Sequence, residues 1–141
     1  LRLLAYLLPL FLFLGCQKYT VEKLPDNRLH FGNAGGFTGE IREYILLLDN
    51  GRILFNNRTT GELEKIGKLK KEELVVFQAE IDKINFQATP NKPANMNTMM
   101  TRYSGGLAQP LNWSGPSNAP SKDAGACFQA LMAQVRAMRE G

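Results

Sequence analysis

The side chains that could do chemistry in this 141-residue chain are few, and histidine is the first to weigh because it alone titrates unperturbed near neutral pH. His30 is the single histidine. It stands at the expected start of a strand and forms no HxxxH pattern, nor is there a CxxC pair, so no metal site is expected. Serine is no more promising as a nucleophile. Ser104 in "YSGG" lacks the leading glycine of a strand-to-helix elbow, and Ser114 in "WSGP" lacks the surrounding pattern. The acids Glu62, Glu64, Glu72, Glu73, Glu80 and Asp82 alternate with lysines, which is how a solvated face reads. Lys65, Lys68, Lys70 and Lys71 form a basic cluster that could meet anionic lipid heads or nucleic acid. With no aromatic interleaved for base stacking, nucleic acid is not expected. No catalytic residue and no cofactor are therefore expected, and a binding role is favoured over an enzyme.

The stretch "HFGNAGGFTGE", residues 30–40, raises the question of a phosphate loop. Such a loop needs a helix after its glycines, so that backbone amides and helix dipole converge on the anion. Here an apolar strand comes next, and the lysine of a Walker loop is missing. The glycines instead permit positive φ and a tight excursion leading into a hairpin. Phe37, held between Gly36 and Gly39, is either tucked back on the sheet or projected as an anchor for a partner.

Chemistry of another kind is written at the amino terminus. One positive charge, Arg2, precedes an uncharged run over residues 3–14, then Gly15 and Cys16. At ~1.5 Å per residue this run is too short to cross a ~30 Å hydrocarbon core, and its layout is that of a secretory signal. The join "FLGC", residues 13–16, resembles the lipobox of bacterial lipoproteins, with Gly15 as the small residue before the cut and Cys16 as the acylated residue. Phe13 occupies the position where the family prefers Leu. The resemblance implies a signal peptide over residues 1–15, a diacylglyceryl thioether and palmitate-type acylation on Cys16, and a membrane partner through that anchor. Gln17 in place of Asp favours an outer-membrane destination facing the periplasm. Loss of Arg2 on cleavage would take the formal charge from +4 to +3. With Cys16 acylated, Cys127 is left with no disulfide partner, and its place on an apolar helix face assigns it to the core.

Residues 16–28 are polar and aperiodic after Cys16, and read as a tether separating the lipid from a single domain over residues 29–141. Within that domain "IREYILLLDNGRILFNNR", residues 41–58, reads as a hairpin about Asn50 and Gly51, the preferred pair of a two-residue type I′ turn. That turn would set Leu48 opposite Ile53, Leu46 opposite Phe55 and Glu43 opposite Arg58. Tyr44, Leu46, Leu48, Ile53 and Phe55 then share one face. The other face carries Ile45, Leu47 and Leu54, which are either covered by something else or left as an apolar patch for a partner.

A polar third strand comes after a turn at Thr60 and Gly61, and its Lys and Glu content suits a sheet edge. Leu74, Phe77, Ile81 and Ile84 form the stripe of one amphipathic helix. Phe128, Leu131, Met132, Val135 and Met138 form that of a closing helix with Ser121 as its N-cap. Between them a second hairpin is expected, with Met100, Leu111 and Trp113 on one face and Pro110 marking an edge strand. The expected fold is α+β: an antiparallel sheet built of hairpins, with two amphipathic helices packed on one face.

The "GGFTG" loop opening a strand, the acid-plus-glycine hairpin, the helix, the further strands and the closing helix together resemble emfourin, a small protein inhibitor of thermolysin-like metalloproteases. The likeness spans residues 31–138, and its one sharp element is that loop. It implies a protease as a protein partner. Two functions are thus carried forward: a membrane-anchored lipoprotein with a non-catalytic binding domain, and a metalloprotease inhibitor.

Overall fold

The computed structural model describes residues 19–35, 39–87, 96–115 and 118–141. Among these described residues six strands and two helices occur in the expected order. These are β1 (Arg28–Gly35), β2 (Glu40–Leu47), β3 (Arg52–Asn57), β4 (Glu62–Lys68), α1 (Lys71–Asp82), β5 (Met96–Ser104), β6 (Leu107–Ser114) and α2 (Lys122–Glu140). The strands form one sheet in the order β4-β3-β2-β1-β5-β6, every neighbouring pair antiparallel. The polar β4 and the proline-bearing β6 take the two edges, where a strand lacking one row of partners tolerates charge and a missing N–H.

Strand alternation divides the sheet into two faces. Leu29, Phe31, Tyr44, Leu46, Ile53, Met100, Leu111 and Trp113 are buried on the face that receives both helices. From α1 come Leu74, Phe77 and Ile81, with Ile84 just beyond it, and from α2 come Cys127, Phe128, Leu131 and Val135. Trp113 meets Phe128 edge-on with ring centroids 5.8 Å apart. The Ser121 hydroxyl accepts the Ala124 N–H at 3.1 Å and so caps α2. At α1, Glu73 reaches back to the Lys70 N–H at 3.0 Å, half of a capping box.

The hairpin of β2 and β3 keeps the expected faces with a different register. Leu46 pairs with Ile53 and Tyr44 with Phe55, a shift of two residues from the type I′ alignment. The shift has a backbone cause. A type I′ turn needs positive φ at both central residues, yet among the described residues only glycines adopt it, and here that is Gly51, φ 79°. Asn50 instead accepts the Arg52 N–H through its side chain at 2.9 Å, and the Gly51 N–H reaches the Leu47 carbonyl at 2.8 Å, giving a wider loop. Because the slip is even, no side chain changes face. The β5–β6 turn does carry the paired positive φ values, at Gly105 (58°) and Gly106 (76°).

The two ends of the sheet carry different connections. The start of β1, the β2–β3 loop, the end of β4 and the β5–β6 turn lie at one end, called proximal here. The β1–β2 and β3–β4 connections lie at the other, distal end.

Candidate functional site

The face opposite the helices was expected to be covered or to present an apolar patch for a partner. Ile45, Leu47 and Leu54 are 0, 0 and 1 % exposed, so as partner-binding surface these three are corrected. They form a small second core, closed by Tyr19, Leu24 and Leu63. Two of those covering side chains come from residues 19–27, the segment read as a tether. That segment is a strap bound to the proximal end of the sheet. The Asn50 Nδ2 donates to the Tyr19 hydroxyl at 3.1 Å, and the Leu48 N–H donates to the Asn27 carbonyl at 3.1 Å. Asp26 accepts the Gly106 N–H at 3.0 Å, and Asn27 Nδ2 donates to Asp49 at 3.1 Å. The strap thus runs from the β2–β3 loop to the β5–β6 turn and fills what would otherwise be an apolar opening.

Beside the second core lies a row of polar side chains centred on His30 and Glu43. Antiparallel pairing sets His30 across from Ile45 and Glu43 across from Gly32, which makes His30 and Glu43 diagonal neighbours on one face. The His30 Nδ1 lies 3.4 Å from Glu43 Oε1, and its Nε2 accepts the Arg28 Nε–H at 2.9 Å. The Arg28 guanidinium stacks over the Tyr103 ring at 4.0 Å and donates to the Pro25 carbonyl at 2.9 Å. Glu43 also takes Asn56 Nδ2 at 3.0 Å and Arg58 Nη2 at 3.6 Å. The expected Glu43–Arg58 pair therefore forms, but diagonally, since Asn56 takes the place directly opposite. The bond from His30 holds the Glu43 carboxyl below its ordinary range against an opposing push from burial, and Asn56 and Arg58 add to the lowering.

Chemically this arrangement is a clamp. Both imidazole nitrogens are engaged, one toward a carboxylate and one by a guanidinium, which leaves His30 no free nitrogen to take a substrate proton. The row ties the strap, β1, β2, β3 and β5 together. Among the described residues no three His, Cys, Asp or Glu side chains gather as a metal group. Cys127 is buried within the helix-side core, where desolvation, helped by the Glu80 charge, pushes its thiol up to about 12.

At the distal end a cleft of about 450 Å³ is lined by Glu40, Ile41, Phe55, Asn57 and Arg58 among others. It adjoins the β1–β2 connection, whose flanking Gly35 and Gly39 have φ of 113° and 63°. A strand on each side of the glycines makes this a hairpin tip and removes the context a phosphate loop needs. Phe37 and Cys16 lie outside the described residues. No helix among the described residues is long and apolar enough to cross a membrane.

Neither the strap nor the His30–Glu43 clamp is evident in the sequence. Tyr19, Val21 and Leu24 are spaced two and three apart in a polar stretch, without the sustained period of a helix or strand. The clamp is accessible only through the β1–β2 register, which the β1–β2 connection sets. A scan of the chain against protein-family models finds no match, and neither does a search of curated protein sequences.

Proposed function

We propose that this chain is a bacterial lipoprotein, held to a membrane by acylated Cys16, whose α+β domain binds a partner and performs no catalysis. The anchoring half rests on the "FLGC" join after an uncharged run and one leading positive charge. Each buried methylene adds ~0.8 kcal/mol of membrane affinity, so two or more acyl chains on one cysteine hold a protein where one would not. The single structural observation that supports the non-catalytic part of the reading is the engagement of both His30 nitrogens, which turns the chain's one histidine into a strut. Expression of the full chain and its Cys16→Ala variant, followed by membrane fractionation, tests the anchor. The native chain partitions with membranes and the variant is released; retention of the variant would contradict the proposal.

A second reading, inhibition of a thermolysin-like metalloprotease, is favoured by the position of "GGFTG" at a hairpin tip. A Cβ placed on Gly39 would meet nothing within 4 Å, so that side of Gly39 is open to a protein partner. Slowing of a thermolysin-like protease by excess domain, relieved by Phe37→Ala, is the expected result. No slowing at any ratio would count against it.

A further inference from the structure

The strap fixes where an anchor on Cys16 must lie relative to the sheet. Cys16 and Tyr19 are three residues apart, so a trans chain separates their Cα atoms by no more than about 11 Å. Tyr19 is itself bound to Asn50 in the proximal β2–β3 loop. At ~3.3 Å per residue the eight residues of β1 set the distal tip roughly 25 Å from the proximal end. An anchor on Cys16 is therefore tied to the proximal end of the sheet and starts nearer to it than to the distal tip.

The proximal end has the composition of a surface that meets lipid heads. Val21 in the strap and Leu107 after the β5–β6 turn are 50 and 69 % exposed; of the other exposed large apolar side chains described, Val75 and Val76 lie on α1 and Met96 at the distal start of β5. Lys23, Lys68, Lys70 and Lys71 are exposed at the same end. Of the acids there, Asp26 is engaged by the Gly106 N–H and Asp49 by Asn27, while Glu22 and Glu72 are exposed, so the lysines outnumber the unengaged acids four to two. Exposed aliphatic side chains beside lysines suit the boundary of an anionic bilayer, where the aliphatic groups leave water and the ammonium groups meet phosphate. Charges within about 10 Å of the head groups are inside one Debye length and are felt.

We propose that the proximal end, with Val21, Leu107 and these lysines, is the membrane-contacting surface of the anchored protein, and that the distal β1–β2 tip and its cleft face away from the bilayer. The proposal rests on the anchor reading and adds an orientation to it. The basic cluster then has a lipid-facing role, and the distal end is the one a soluble partner can reach.

The test uses the full lipidated protein in vesicles of phosphatidylethanolamine and phosphatidylglycerol. An environment-sensitive fluorophore is attached at Leu107→Cys or, as distal control, at Thr60→Cys, and quenching by head-group-labelled lipid is read. The buried Cys127 stays unlabelled in the folded protein. Quenching several-fold greater at 107 than at 60 is expected, together with loss of vesicle binding in Cys16→Ala. Equal quenching, or more at 60, with Cys16→Ala still released, would overturn the orientation and leave the anchor standing. Retention of Cys16→Ala on the vesicles would remove the anchor and the orientation with it.

Discussion

The Tyr19 hydroxyl accepts a hydrogen bond from Asn50 Nδ2 at 3.1 Å, which ties the first described residue to the loop between β2 and β3. This bond makes the segment that begins at Tyr19 part of the domain. The strap covers Ile45, Leu47 and Leu54, each worth ~1.5–3 kcal/mol when fully buried. Leu24→Ala should therefore lower unfolding stability by about 1–3 kcal/mol in urea titration and raise binding of a hydrophobic dye by the native state. Asn50→Ala, which removes the Tyr19 bond and the bond to Arg52 N–H, should cost about 1–2 kcal/mol. A Leu24→Ala protein as stable as the native one, with no added dye binding, would show that the strap does not close the second core.

Glu43 should give the domain a defined acid sensitivity. Its folded carboxyl is held below the ordinary value of 4.5, first by the bond from His30. A depressed folded pKa means that the stabilisation is complete above the unfolded value and is lost as pH falls through the folded one. The native domain should thus lose stability on acidification below about pH 4.5, and Glu43→Gln should have a flatter acid limb. At pH 7 the same substitution should cost about 1–3 kcal/mol, because His30 and Arg58 lose their charged partner. Parallel acid limbs for the two proteins in pH-dependent denaturation would contradict the clamp.

Cys127 should be inert in the folded domain. It is 1 % exposed, and a thiol titrating at about 12 offers almost no thiolate at neutral pH. Ellman's reagent should label it only at the rate of unfolding, and fast labelling in native buffer would contradict the packing described. Cys127→Ser, which buries a hydroxyl in an apolar site, should cost about 1–3 kcal/mol, more than Cys127→Ala at low cavity cost.

Gly32 should tolerate no side chain. It lies within β1, and a Cβ there would overlap the Arg42 carbonyl oxygen of β2, a backbone atom that cannot swing aside. Gly32→Ala should lower stability by about 3 kcal/mol or more, or leave the protein insoluble. By contrast Gly61→Ala meets nothing within 4 Å and should cost only the strain of its positive φ, about 1 kcal/mol.

Much of the fold is legible in the sequence because it depends on local periodicity. Leu74, Phe77 and Ile81 mark the buried stripe of α1, and Met100, Leu111 and Trp113 share a face. The alternation of residues 44–48 and 53–55 assigns both faces of the hairpin even with a register off by two, since parity survives an even slip. What is not legible depends on pairing distant residues. Nothing local says that Tyr19 belongs against the cluster of Ile45, Leu47 and Leu54, or that Glu43 of β2 meets His30 of β1. The first glycine of "HFGNAGG" likewise looks like part of a flexible loop, while in the fold Gly32 is a close-approach position inside a strand. The strap shows the error of equating polar composition with a linker. Two side chains, Tyr19 and Leu24, are enough to bind it to the sheet.

Attachment of the domain to a membrane through Cys16 can be read from the intact mass of the protein extracted in detergent from the cells that make it. The expected species is a chain beginning at Cys16 and carrying diacylglycerol, with or without a further acyl group, and Cys16→Ala should yield no such species. A mature chain beginning elsewhere, or one with a free thiol on Cys16, would contradict the lipoprotein reading.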